Sequence, residues 1–183
     1  GGTASGVMAA CAAAKEGAKV ILVEPSRWLG GMTGGGLMHI DWGREEAVSG
    51  STRPILKKDY KDAQYRLAFA EMLKSAGVTV LFEHRVSAVQ KVDGVIRTID
   101  LDLAPFDEYG CPPAKPIKAL ARVIQAKVFI DCSYEGDLMA RAGVDYAFGR
   151  EAQSAYGESL AGAQPPMSVY AVDPYVKAGD PQS

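Results

Sequence analysis

Two short runs constrain the fold more than anything else in the chain. Lys19–Glu24 (KVILVE) and Val78–Phe82 (VTVLF) are apolar at nearly every position and too short for helices. Such runs belong to parallel strands buried on both faces, not to half-wet antiparallel ones. Each follows a helical pattern that stops at a glycine. The Ala-rich stretch Gly6–Glu16 ends at Gly17. Asp59–Ala76 puts Tyr65, Phe69, Met72 and Ala76 on one face and ends at Gly77. Ala-rich and i, i+4 apolar spacing favour helix, and glycine closes it in the left-handed region. Helix and strand in alternation predict a parallel sheet with helices on its faces, joined by right-handed crossovers.

The pattern changes after Phe82. Val86–Lys91 and Val95–Leu103 flank Asp93-Gly94, a strong hairpin signal. Val95, Ile99, Leu101 and Leu103 fall on one face of the second arm; Thr98, Asp100 and Asp102 fall on the other, which predicts one wet side. Ala104–Pro116 is a proline-bearing excursion, Ile117–Ile124 a third meander strand, and Lys127–Asp131 (KVFID) a return to the buried parallel type. From Gln164 the chain carries four prolines and no closing element.

With 20 basic and 22 acidic residues the net charge is −2, which argues against a dedicated binder of nucleic acid or of anionic membranes. No apolar run reaches the roughly 20 residues of a membrane span. Three cysteines without a CxxC spacing are not a disulfide framework, and two histidines do not make a multi-histidine metal site. Lys57, Lys58, Lys61 and Lys74 read as a solvated helix face.

Three segments carry chemistry. Gly1-Gly2-Thr3-Ala4-Ser5-Gly6 resembles the dinucleotide fingerprint G-x-G-x-x-G, with Thr3 in place of the middle glycine. The N–H groups opening the following helix would face a pyrophosphate, and the helix dipole would favour it. Glu24 ends the next strand 18 residues after Gly6, close to where the fingerprint asks for an acid to accept from a ribose hydroxyl. A carboxylate there disfavours the 2′-phosphate of NADP. Arg27–Gly36 (RWLGGMTGGG) is half glycine. That density serves unusual backbone angles or a ligand lying against backbone. Trp28, Leu29 and Met32 within it point to an ordered loop.

Together, GGTASGVMAA, VILVEPSRWLGGMTGGGL and AKVFIDCSYEGDLMARAG resemble bacterial FAD-dependent oxidoreductases of the glutathione-reductase-like flavoprotein superfamily, over roughly residues 1–162. The resemblance implies a Rossmann-like α/β FAD/NAD(P)-binding domain with a parallel sheet and an antiparallel meander, whose first strand would precede Gly1. That strand is expected between, or beside, Lys19–Val23 and Val78–Phe82, and the chain reads as one piece of a larger protein. Residues 1–162 are expected to form the FAD-binding domain and 163–183 to begin a connecting region.

The resemblance also implies the cofactor contacts. Gly1, Gly2 and Gly6, with Thr3 and Ser5 in the same turn, hold the pyrophosphate of FAD. Glu24 takes the adenosine ribose, and Arg27, Gly30, Gly31, Met32 and Thr33 lie along the cofactor. Backbone at Arg85-Val86 meets adenine. Cys132, Ser133 and Gly136, after Asp131, form a small-residue motif near FAD, where the usual small-residue–Gly ending is varied to Cys-Ser-Tyr. His39 and Asp41 follow the glycine loop and are the candidate acid/base groups beside the flavin; a packed structural histidine is the alternative. The implied activity is flavin-dependent oxidation or reduction of a small molecule, in the cytoplasm unless a leader preceded Gly1. Two other readings stay open: FAD used structurally or in a lyase-like reaction, and a NAD-binding Rossmann domain. The long glycine loop and the meander speak against the last.

Overall fold

The computed structural model describes residues 1–35, 43–56, 60–149, 151–159 and 161–162. His39 and Asp41, with Gly36, Lys57 and Lys58, lie outside the described residues. The chain divides into two compact units, Gly1–Val144 and Asp145–Ser183. The segment expected to begin after Gly162 also lies outside the described residues.

In the first unit, helix α1 (Ala4–Lys15) leads to strand β1 (Ile21–Glu24), a short turn of helix α2 (Arg53–Leu56), helix α3 (Asp62–Ser75) and strand β2 (Thr79–Phe82). Both long helices end as their glycines require. Gly17 and Gly77 have φ of 87° and 69°, and the next amides, Ala18 and Val78, bond back to Ala13 O and Leu73 O. This closes each helix in the left-handed conformation that only glycine adopts cheaply.

Strands β1 and β2 pair in parallel, Ile21 opposite Thr79 through Glu24 opposite Phe82. This direct ladder excludes a strand between them, which corrects half of the expectation for the strand preceding Gly1. The core is built from Val7, Ala10 and Cys11 of α1, Leu22 of β1, Leu29, then Tyr65, Phe69 and Leu73 of α3, and Val78. The buried stripe of α3 thus runs 65, 69, 73; Met72 and Ala76, expected on that face, pack at its margin. Burial pushes the Cys11 thiol up, with Lys15 opposing, so it is a packed thiol.

The meander is strand β3 (His84–Val92), strand β4 (Val95–Leu103) and strand β5 (Lys118–Gln125), antiparallel in the order β3-β4-β5. Asp93 and Gly94 both take positive φ, 52° and 76°, which a two-residue turn matching the strand twist needs. Ile99 and Leu101 are buried as the alternation requires. The opposite face is drier than expected. Thr98 Oγ1 and Asp100 Oδ1 are covered and meet no partner. They sit on the central strand, where Ala88 and Gln90 flank them on one side and Val123 and Gln125 on the other.

The expected strand Lys127–Asp131 does not form. Residues 127–131 run outside any ladder, with Val128 and Ile130 73% and 58% exposed. An apolar run becomes a strand only where a neighbour takes its N–H and C=O groups, and among the described residues none lies alongside it. Helix α4 (Asp137–Arg141) follows and packs on β3.

The second unit contains helix α5 (Gln153–Tyr156), ended by Gly157 at φ 73°. It is tied locally by Gly162 N–H to Glu151 O at 2.8 Å and by Gln153 Nε2 to Ser159 O at 2.9 Å. Among the described residues no helix is long and apolar enough to cross a membrane.

Candidate functional site

Three stretches remote in sequence meet at the start of α1. Gly2 N–H donates to Glu24 Oε2 at 2.5 Å, and Gly2 O accepts from Gly30 N–H at 2.7 Å. Thr3 and Gly30 form a parallel bridge. Thr3 Oγ1 donates to Cys132 O at 2.8 Å and accepts from Gly6 N–H at 3.2 Å. The turn 1–6 is thereby fixed to the end of β1, to the glycine loop and to the 131–133 segment.

The glycines are demanded by close approach. A Cβ on Gly6 would overlap Gly1 O, and one on Gly1 would lie 3.0 Å from Cys132 O. The hydroxyl of Thr3 explains the departure from the fingerprint. It caps α1 and ties the turn to Cys132, work that a glycine cannot do.

Glu24 is buried, 8% exposed, beneath the turn. One oxygen takes Gly2 N–H and the other takes Ser26 N–H at 2.8 Å. An ionised carboxylate has about four lone-pair directions, so two amides leave acceptor capacity for hydroxyl groups.

The glycine loop turns back sharply after the buried Leu29. Gly30 and Gly31 have φ of 98° and 54°. A Cβ on Gly30 would sit 2.6 Å from the ring of buried Phe69, and one on Gly31 would overlap Tyr134 Oη. Thr33 and Gly34 amides bond back to Gly30 O, and Gly35 to Met32 O. Met32 N–H donates to Tyr134 Oη at 2.8 Å, and Arg66 Nη1 donates to Gly34 O at 2.6 Å.

The 131–136 motif is closed on itself. Asp131 accepts from Ser133 N–H and Oγ and from Met139 N–H, at 2.7–3.0 Å. Partial burial pushes its carboxyl up, but the Ser133 hydroxyl and the backbone amides outweigh this and hold it below the usual aspartate value. Ser133 Oγ in turn accepts from Gly136 and Asp137 N–H. Gly136, at φ 70°, opens α4.

Gly1, Gly2, Thr3, Gly6, Glu24, Gly30 and Cys132 therefore converge, with Ser5 in the first turn of α1, Gly31, Met32 and Thr33 on the adjoining loop, and Ser133 and Gly136 just beyond Cys132. The two arginine side chains turn elsewhere. Arg27 Nη2 donates to Phe106 O at 2.7 Å and lies 3.8 Å from Glu83. Arg85 donates to Pro113 O and Ala114 O at 2.7 and 3.1 Å. Both brace the excursion 104–116, while Val86 pairs with Leu101 inside the meander. Sequence reasoning missed Arg66 and Tyr134. Arg66 carries no signal in the sequence beyond its i, i+4 spacing from Asp62, and Tyr134 stands there only as the last residue of the Cys-Ser-Tyr variation.

A glycine-rich turn opening a helix, a buried carboxylate below it and a second glycine loop hydrogen-bonded to it define a dinucleotide-binding α/β protein. A family model described as FAD dependent oxidoreductase matches residues 1–182, and the chain belongs to that family. Neither the curated proteins nor the solved structures gave a match. The family makes the protein a flavin-dependent oxidoreductase of a small-molecule substrate, with FAD as its cofactor and a Rossmann-like fold. The residues gathered here suit that cofactor: backbone donors at a helix start for phosphate, a carboxylate for ribose, and bare backbone on the adjoining loop.

Proposed function

We propose that the junction of residues 1–6, Glu24 and Gly30–Thr33 holds FAD for redox chemistry on a small molecule. The pyrophosphate lies against Gly1, Gly2, Thr3, Ser5 and Gly6, at the opening of α1. Glu24 accepts from the adenosine ribose. Backbone at Arg27 and the glycine loop run beside the rest of the cofactor, adenine rests on backbone at Arg85-Val86, and Cys132, Ser133 and Gly136 border the site. The observation that carries this reading is the hydrogen-bonded chain Glu24–Gly2–Gly30, which joins the anion-binding turn, the ribose acceptor and the bare loop.

When bound, FAD supplies the electron-transferring ring; these residues bind it, orient it and keep it in place. His39 and Asp41 are the candidates for moving a proton. Three cysteines without a bridge suit a reducing cytoplasm. Purified intact protein should show a flavin absorbance band, or take up FAD at one per chain, and a substrate should bleach that band. Colourless protein that binds NAD tightly and ignores FAD would refute the assignment.

A further inference from the structure

The loop Gly30–Gly35 contributes little to its own shape. Its internal bonds reach only three or four residues back, at 3.1–3.4 Å, and Met32 is exposed. A glycine-rich segment has more conformational freedom to lose than any other. Left unbraced, it would sample many shapes, and a ligand would bind only the fraction in the right one.

Two side chains from outside the loop restrain it. Tyr134 accepts from Met32 N–H at 2.8 Å, just past the two left-handed glycines. Its phenol fills the space that a Cβ on Gly31 would need. Arg66, on α3, donates to Gly34 O at 2.6 Å and is itself aimed by Asp62 at 2.9 Å. Its guanidinium also lies 5.1 Å from the centre of the Trp28 ring, at the entry to the loop. The loop is therefore gripped at its entry, middle and end by groups on α3 and on the segment leading to α4. α3 is rooted in the core through Tyr65, Phe69 and Leu73.

We infer that Tyr134 and Arg66 are positioning residues for FAD, holding Gly30–Gly35 in its cofactor-accepting shape before the cofactor arrives. This rests on the reading that FAD runs along the loop. Neither side chain needs to touch the cofactor. Each removes loop conformations that binding would otherwise have to exclude.

The test pairs amide hydrogen exchange on the intact, FAD-free protein with FAD titration, for wild type, Tyr134→Phe and Arg66→Lys. Phenylalanine keeps the ring and loses only the acceptor. Lysine keeps the charge but cannot serve Gly34, Asp62 and Trp28 together. Tyr134→Phe should speed exchange at Met32, and Arg66→Lys at Thr33–Gly35, with α1 and β4 amides unchanged. Loss of one hydrogen bond, exposed at Tyr134 and part-buried at Arg66, corresponds to FAD binding about two- to tenfold weaker in each variant. Unchanged loop exchange overturns the inference, as does faster exchange with unchanged FAD affinity. Wild-type protein that takes up no FAD overturns the underlying site assignment and this inference with it, an outcome visible before any variant is compared.

Discussion

Glu24 is both the proposed ribose acceptor and a structural member of the turn, and the two roles separate by experiment. Its oxygens take Gly2 N–H at 2.5 Å and Ser26 N–H at 2.8 Å. Glu24→Ala strips both amides of their partner. Gly2 is buried, so its amide has no water to turn to, whereas Ser26 is half-buried and recovers part of the loss. An unmet buried donor costs about 1–3 kcal/mol, and a bond to a charged acceptor is worth a similar amount, so the two sites together come to about 3 kcal/mol. For a protein of this size that is a fall in Tm of roughly 6–12 °C. Glu24→Gln should lie about midway, since an amide accepts with one oxygen and turns its NH2 toward the other donor. Thermal unfolding followed by circular dichroism without FAD reads this structural part. FAD titration then reads the ribose part, where loss of a charged hydrogen bond of about 1.5–3 kcal/mol weakens binding roughly 10- to 100-fold. FAD-free Glu24→Ala that melts within about 1 °C of wild type would refute the structural argument. Unchanged FAD affinity would refute the ribose assignment.

Thr3→Val, which keeps shape but loses the hydroxyl's bonds to Cys132 O, Gly6 N–H and Ser5 Oγ, should cost about 2 kcal/mol in urea unfolding; Thr3→Gly restores the fingerprint pattern yet should also destabilise, because the tie to Cys132 O is lost. Gly30→Ala must place a Cβ at φ 98° against the Phe69 ring, and strain plus overpacking predict a loss of about 2–4 kcal/mol, read by the same assay. Asp131→Asn should abolish an acid-sensitive contribution. The folded-state pKa of Asp131 is depressed, so its stabilisation is present at neutral pH and is lost as pH falls through that depressed value. The gap between wild type and Asp131→Asn in urea midpoints should hold above about pH 5 and close on acidification below the ordinary aspartate pKa of about 3.9. A gap that widens in acid would contradict the hydrogen-bond explanation.

Local chemistry made much of this protein readable in one dimension. The glycine stops of α1 and α3, the parallel character of β1 and β2 and the Asp93-Gly94 turn follow from backbone angles and apolar periodicity, which act within a few residues. The spacing of the glycine turn and Glu24 pointed to a dinucleotide for the same reason, since one helix and one strand set their separation. Other features depended on neighbours far along the chain. Lys127–Asp131 has the composition of a buried strand, but a strand exists only beside a partner. Thr98 and Asp100 alternate like a wet face, but their place on a central strand covers them. Thr3 reads in the sequence only as a departure from the fingerprint, yet folding brings Cys132 O, 129 positions away, to its hydroxyl. Arg66 and Tyr134 reach the glycine loop across 32 and 102 positions. The order of residues thus determined where α1 and α3 stop, that β1 and β2 run parallel and where the meander turns. Which side chains grip the glycine segments was decided only by tertiary structure, because a hydrogen bond depends on distance in space and is indifferent to distance along the chain.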